Sequence, residues 1–355
     1  MKYKISIFQF AMIIGNFLIT ASLITLPQIL TQISEQNAWL IPLVTYPVFL
    51  LLVLAFAKKT YTIDRQSKSY KLFKSTVGIL LVTIYIRDLR AFIDYISSYL
   101  LPTTPTEVIA IVLSLTLLYI CLSGIEVIAR ITEIQFIILA VLILSLPLML
   151  LNEIDLSNIY PIMGLDEVKD LGKSSFFFFP WMGEAVIALY IVSYVTYEKG
   201  LRRAVLLGIS LGFFLLFILI TTSIAVLGDN TVARATYPNI IMIQQINITD
   251  FLDRLDLIIV TLWMPTLLSK LALTLYGIHK TLFHLKGEGA NLLMTPLSLL
   301  LAVLAVVLFK SNTLHLEFTY FTWTVIGIAL ELFIILLYII LRVKARGKKA
   351  EVEAR

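Results

Sequence analysis

The residues best suited to chemistry in this chain are charges lying inside apolar runs. Arg87, Asp88, Arg90 and Asp94 crowd into the segment Tyr85–Asp94. An isolated charge at mid-membrane costs at least about 2.5–3.5 kcal/mol on the insertion scale, so such residues pair and turn inward. Arg90 and Asp94 are i,i+4 neighbours on one helix face, and Arg87 lies a turn back along that side. Two readings fit this network: a substrate or proton relay, or a structural pin between helices. Glu184 is the other candidate. It closes the stretch Phe176-Phe-Phe-Phe-Pro-Trp-Met-Gly-Glu184, so Phe179, Pro180 and Gly183 surround it. Its carboxylate could hold a ligand ammonium, take a proton, or cap a half-helix. Lys270 falls two or three turns from the end of its run, where its stem could snorkel to the interface. Glu126 and Arg130 are spaced to pair with each other.

Chemistry of other kinds finds little support. The chain has no H-E-x-x-H, no G-x-S-x-G and no phosphate-binding loop, so no enzyme and no cofactor is expected. Its one cysteine, Cys121, allows neither an internal disulfide nor a multi-cysteine metal site. His279, His284 and His315 fall in or beside loops on two sides of the expected membrane, and no metal is expected.

The elements that must position these charges are membrane helices. Of 355 residues, 59% are hydrophobic and 14% charged, and mean hydropathy is +0.94. Soluble domains carry about 25% charge, and no single soluble core could hide this much apolar surface. A membrane crossing needs roughly 20 apolar residues. Ten such runs are legible: Ile5–Leu30, Ala38–Ala57, Val77–Leu101, Val108–Gly124, Ile131–Leu151, Phe176–Tyr197, Ala204–Leu227, Leu255–Ile278, Leu292–Leu308 and Phe318–Leu341. Sorting the 28 Lys and Arg by side puts 20 on one face, 4 on the other and 4 in or at the ends of runs. Cytoplasmic loops hold the basic excess, so both termini are expected in the cytoplasm. The basic tail, residues 342–355, suits anionic lipid headgroups rather than nucleic acid.

Two runs carry breaks. The first contains Thr20, Ala21, Ser22 and, a turn later, Pro27; the sixth contains Pro180 and Gly183. Broken backbone at membrane depth must face protein or a wet cavity, and transporters bind ligands at such places. Each broken run opens a set of five, and the second set enters from the opposite side. The pattern predicts one all-α integral membrane domain with an inverted 5+5 repeat, residues 5–151 and 176–341. Gly208 and Gly212 form a G-x-x-x-G in the seventh run, which reads as close helix packing.

Several stretches together resemble the B subunits of endospore germinant receptors, a branch of the amino acid–polyamine–organocation permease superfamily. They are Arg87–Ile96 with Leu100–Pro105, Gly124–Glu133 with the outer loop Asp155–Pro161, Gly183-Glu184 with Ser193–Val195, and Tyr237-Pro238 through Phe251–Asp256 to Trp263. The resemblance covers nearly the whole chain. It implies a leucine-transporter-like ten-helix fold with helices one and six broken. It implies an A-type membrane subunit and a C-type lipoprotein as partners, and a place in the inner membrane of the dormant spore. Thr20-Ala21 stands where relatives often carry Gly-Thr, and Met182 where they often carry Phe. A β-branched Thr20 implies either a different ligand or a milder break.

The expected function is a receptor subunit that binds a small germinant, an amino acid or nucleoside, and triggers germination. The rival readings are an active amino-acid symporter on the same fold and a scaffold without a ligand of its own. The expected ligand site gathers Thr20, Ala21, Ser22, Phe179, Pro180, Gly183 and Glu184, with Tyr95 and Trp263 as walls.

Overall fold

The computed structural model describes residues 4–20, 22–56, 66–162, 164, 167–196, 200–246, 255–282 and 293–353. Among them the chain is helical, with a single isolated β-bridge. Among the described residues, each of the ten apolar runs is largely helical. The helices are α1 (Ile7–Ile19), α2 (Ser22–Ser34), α3 (Leu40–Phe56), α4 (Lys68–Tyr95), α5 (Thr106–Leu122), α6 (Ile125–Met149), α7 (Val168–Gly183), α8 (Ala188–Ile191), α9 (Leu201–Leu227), α10 (Asp229–Arg234), α11 (Pro238–Gln244), α12 (Leu255–Leu282), α13 (Met294–Val307), α14 (Asn312–Glu317) and α15 (Trp323–Glu353). Among the described residues, four helical stretches are long and apolar enough to cross a membrane: Ile125–Met149, Val168–Tyr194, Leu201–Leu227 and Asn312–Ala345. Shorter apolar helices are Ile7–Ile19, Thr106–Leu122 and Met294–Val307. Large apolar side chains such as Tyr119, Val112, Val141, Leu148, Val325 and Leu332 face outward, as a lipid-facing surface requires.

The centre of the bundle is α1. Ser6 caps it, accepting from the Gln9 backbone N–H at 3.0 Å while the Gln9 side chain accepts from the Ser6 N–H at 2.9 Å. Every residue from Phe10 to Ile19 is buried, so α1 is enclosed on all sides. It packs closely on α9 because Gly208 and Gly212 face it. A Cβ on Gly208 would strike the Ala11 carbonyl and Ile14, and one on Gly212 would strike Leu18. The glycine pair therefore does what its spacing suggests. Around this pair, α12 packs on α4 and α6, α13 on α4 and α5, and α15 on α4 and α7.

The two interrupted runs behave differently. α1 ends at Ile19 with Thr20 as its C-cap, and α2 begins at Ser22; Ala21 lies outside the described residues. Ser22 Oγ donates to the Leu18 carbonyl at 2.5 Å across the junction. Pro27 lacks an N–H and so frees the Leu23 carbonyl. Asn239 Nδ2 from α11 donates to that carbonyl at 2.5 Å. The sixth run departs from expectation. Gly183 and Glu184 keep right-handed helical dihedrals, and the chain tightens from α7 into a 3₁₀ turn over Glu184–Ile187, then α8, then 3₁₀ again over Val192–Tyr194. The rod is overwound rather than parted. The physical reason is that i→i+3 bonding keeps the carbonyls paired inside the segment.

Two backbone bonds tie the first and sixth runs together at one end. Ile5 N–H donates to the Tyr194 carbonyl and Thr196 N–H donates to the Ile5 carbonyl, both at 3.0 Å. The start of the first run is thereby joined to the end of the sixth. Nearby, Glu126 accepts from the Lys4 N–H at 2.8 Å, a contact the Glu126–Arg130 spacing did not anticipate.

Candidate functional site

The charges of α4 divide into two clusters. In the inner one, Arg87 donates to Asp88 Oδ1 through Nε at 2.8 Å and to Glu184 Oε1 through Nη2 at 2.5 Å. Lys270 Nζ lies 2.7 Å from Glu184 Oε2 and 2.9 Å from Asp88 Oδ2. All four side chains are about 1% exposed. Two cations and two anions balance, which is what makes them tolerable there. The Arg87 guanidinium is sandwiched between the Trp181 and Trp323 rings, 4.4 Å from each centroid. The quartet therefore ties α4, the 3₁₀ turn after α7, and α12 together.

In the outer cluster, Arg90 grips Asp94, with Nε to Oδ2 at 3.0 Å and Nη2 to Oδ1 at 2.9 Å. The i,i+4 pair read from spacing is present. His315, on α14, places Nδ1 3.4 Å from Asp94 Oδ2 and Nε2 3.1 Å from the Arg87 carbonyl. The Arg87 side chain goes to Asp88 and Glu184, so the expected single network is two, and His315 belongs to the outer one while also meeting the α4 backbone.

A separate cavity of about 60 Å³ lies between α2, α4, α6, α9, α11 and α12. Its walls are apolar side chains of α6, with Leu23, Leu219, Ile240 and Ile243, and the faces of Tyr95, Tyr237 and Trp263. Sites for small molecules are typically apolar with a few placed polar groups. Here the aromatic residues of the wall pack on one another. Tyr95 meets Trp263 edge-on at 5.2 Å and Tyr237 at 5.7 Å, and Tyr99 stacks on Tyr95 at 5.6 Å. Asn239, on α11, is held by Leu23 and by Ser223, whose Oγ donates to Asn239 Oδ1 at 2.8 Å.

The expected ligand residues are thus divided between two places. Tyr95 and Trp263 line the cavity, and Trp263 Nε1 donates to the Thr20 carbonyl at 3.4 Å. Thr20 turns its hydroxyl onto the Asn16 carbonyl at 2.5 Å, so its side chain serves the helix. Phe179, Pro180, Gly183 and Glu184 do not line the cavity. Phe179 packs on Phe49 at 5.1 Å, and Pro180 backs against Gly327. Gly183 lies directly beneath the Glu331 carboxyl. Glu184 is consumed by Arg87 and Lys270.

A family model described as spore germination protein matches residues 4–314. The chain belongs to the spore germination protein family. With apolar helices of membrane-crossing length, it is a germination-related membrane protein. Its relatives in the family span nearly its full length. The Bacillus subtilis (strain 168) protein YfkT is 28% identical over 342 residues, covering 92% of this chain and 93% of the relative. Spore germination protein B2 of the same organism is 25% identical, covering 83% and 84%. Spore germination protein KB, also from that organism, is 24% identical, covering 89% and 88%.

Spacing arguments missed three members of the buried charge clusters. Lys270 does not snorkel; it is 1% exposed and held by two carboxylates. Glu331 stands in the middle of the last apolar run, and that isolation was its signal. His315 follows a short loop, and nothing in its neighbourhood in the chain points to Asp94.

Proposed function

We propose that this protein is a membrane subunit of a spore nutrient-germinant receptor. In this reading it crosses the inner membrane of the spore ten times as an inverted 5+5, leucine-transporter-like repeat. Both termini face the cytoplasm. It assembles with an A-type membrane subunit and a C-type lipoprotein, and it performs no catalysis. A small germinant, an amino acid or nucleoside, binds with an apolar part in the cavity walled by Tyr95 and Trp263. Binding biases a conformational equilibrium that the partner subunits read, which requires different affinity for the two states.

The single observation that carries this reading is the cavity itself, set against the interrupted first run. The bridge between Ile5 and Val195 supports it, since that contact ties the start of the first run to the end of the sixth, away from the cavity. The charge quartet would hold the wall in register without touching the ligand.

The test fills the cavity. Ile143→Trp should shift the germinant dose response by about tenfold or more, equivalent to roughly 1.4 kcal/mol, with protein accumulation unchanged. An unshifted response at normal protein levels refutes the cavity as the germinant site. Accumulation of radiolabelled amino acid by vesicles would replace the receptor with a symporter on the same fold.

A further inference from the structure

Glu331 is the fifth ionisable group of the inner cluster. Its side chain is 5% exposed, and Oε1 has no hydrogen-bond partner among the described residues. Its carboxyl rests against Gly183, at the point where α7 gives way to the 3₁₀ turn; a Cβ on that glycine would occupy the same space. The charged groups that face it are Glu184 of the 3₁₀ turn and Arg87 of α4. Behind them stand Asp88 of α4 and Lys270 of α12, both committed to the quartet.

Charge counting then decides. Arg87 and Lys270 are already balanced by Asp88 and Glu184, and each of those carboxylates touches a cation. An ionised Glu331 would give the cluster a net charge of −1, with the surplus on the one carboxyl that touches neither cation. A buried, unpaired carboxylate takes up a proton rather than remain charged. We propose that Glu331 is a proton-binding site that keeps the intramembrane cluster neutral. The proton sits on the Glu331 carboxyl, and any movement of α15 away from Gly183 that admits water gives it a route out. Proton occupancy and helix arrangement are then linked. This site does not depend on whether the cavity takes a germinant.

The test is infrared spectroscopy of the full-length protein in lipid vesicles at neutral pH. The wild type should show a carboxylic-acid carbonyl band that shifts when glutamate is labelled with ¹³C at its side-chain carboxyl. The band should be lost in Glu331→Gln and retained in Glu126→Gln, whose carboxyl meets the Lys4 N–H outside the cluster. Glu331→Asp should move it out of the glutamate-labelled set, which decides the matter if the glutamine variant does not accumulate. Absence of a glutamate acid band in the labelled wild type, or its survival in Glu331→Gln or Glu331→Asp, overturns the proposal.

Discussion

Replacing Lys270 with methionine removes the ammonium that contacts Asp88 and Glu184 but preserves most of the stem's volume. At 2.7 and 2.9 Å, each contact is worth roughly 6 kcal/mol of attraction at an effective dielectric near 20, before desolvation. Keeping the ammonium out of water costs several kcal/mol, which offsets much of that sum. What remains after the lysine is lost is a buried carboxylate pair served by Arg87 alone. Breaking a buried pair in this way typically costs about 3–5 kcal/mol, and we expect Lys270→Met to fall in that range. The assay is denaturant- or heat-induced unfolding in detergent, following tryptophan fluorescence, since Trp181 and Trp323 flank Arg87. Adding Glu184→Gln restores charge balance, so the double variant should be more stable than Lys270→Met alone, with a coupling of about 0.5–3 kcal/mol. A loss under about 1 kcal/mol would match an exposed or snorkelling lysine. That result, or strictly additive losses in the double variant, would refute the quartet as a coupled unit.

Two further outcomes follow from close contacts. Gly208→Val should destabilise the bundle by about 1–3 kcal/mol or more, because its side chain meets the Ala11 carbonyl and Ile14. Gly172→Ala, which opens onto empty space, should be neutral or gain up to about 1 kcal/mol as a better helix former; equal melting shifts for the two would count against the α1–α9 contact. Asn239→Ala should lower hydrogen-exchange protection of α11 about tenfold or more, from the roughly 1–3 kcal/mol lost when a buried acceptor goes unpaired. In a Pro27→Ala background the loss should shrink, because residue 27 regains an N–H for the Leu23 carbonyl. An identical loss in both backgrounds would mean that Asn239 does not serve the carbonyl freed by proline.

Composition and local pattern were enough to determine the medium and the secondary structure. Apolar runs such as Ile125–Met149 and Leu201–Leu227 must be helical in lipid, because only a helix satisfies its own backbone there. The Arg90–Asp94 pair and the Gly208–Gly212 face were legible for a similar reason, since both depend on helical spacing within one segment. Thr20-Ala21 marked the junction of α1 and α2 because proline and polar residues weaken one helix locally. The tertiary structure alone decided the rest. Glu184 meets Arg87 across 97 positions of chain and Lys270 across 86. Such contacts depend on how each helix is rotated about its axis and which helices are neighbours, and no local spacing encodes that. The same packing separates the Tyr95–Trp263 cavity from Glu184, and sets Glu331 beside Gly183 with neither cation for a partner.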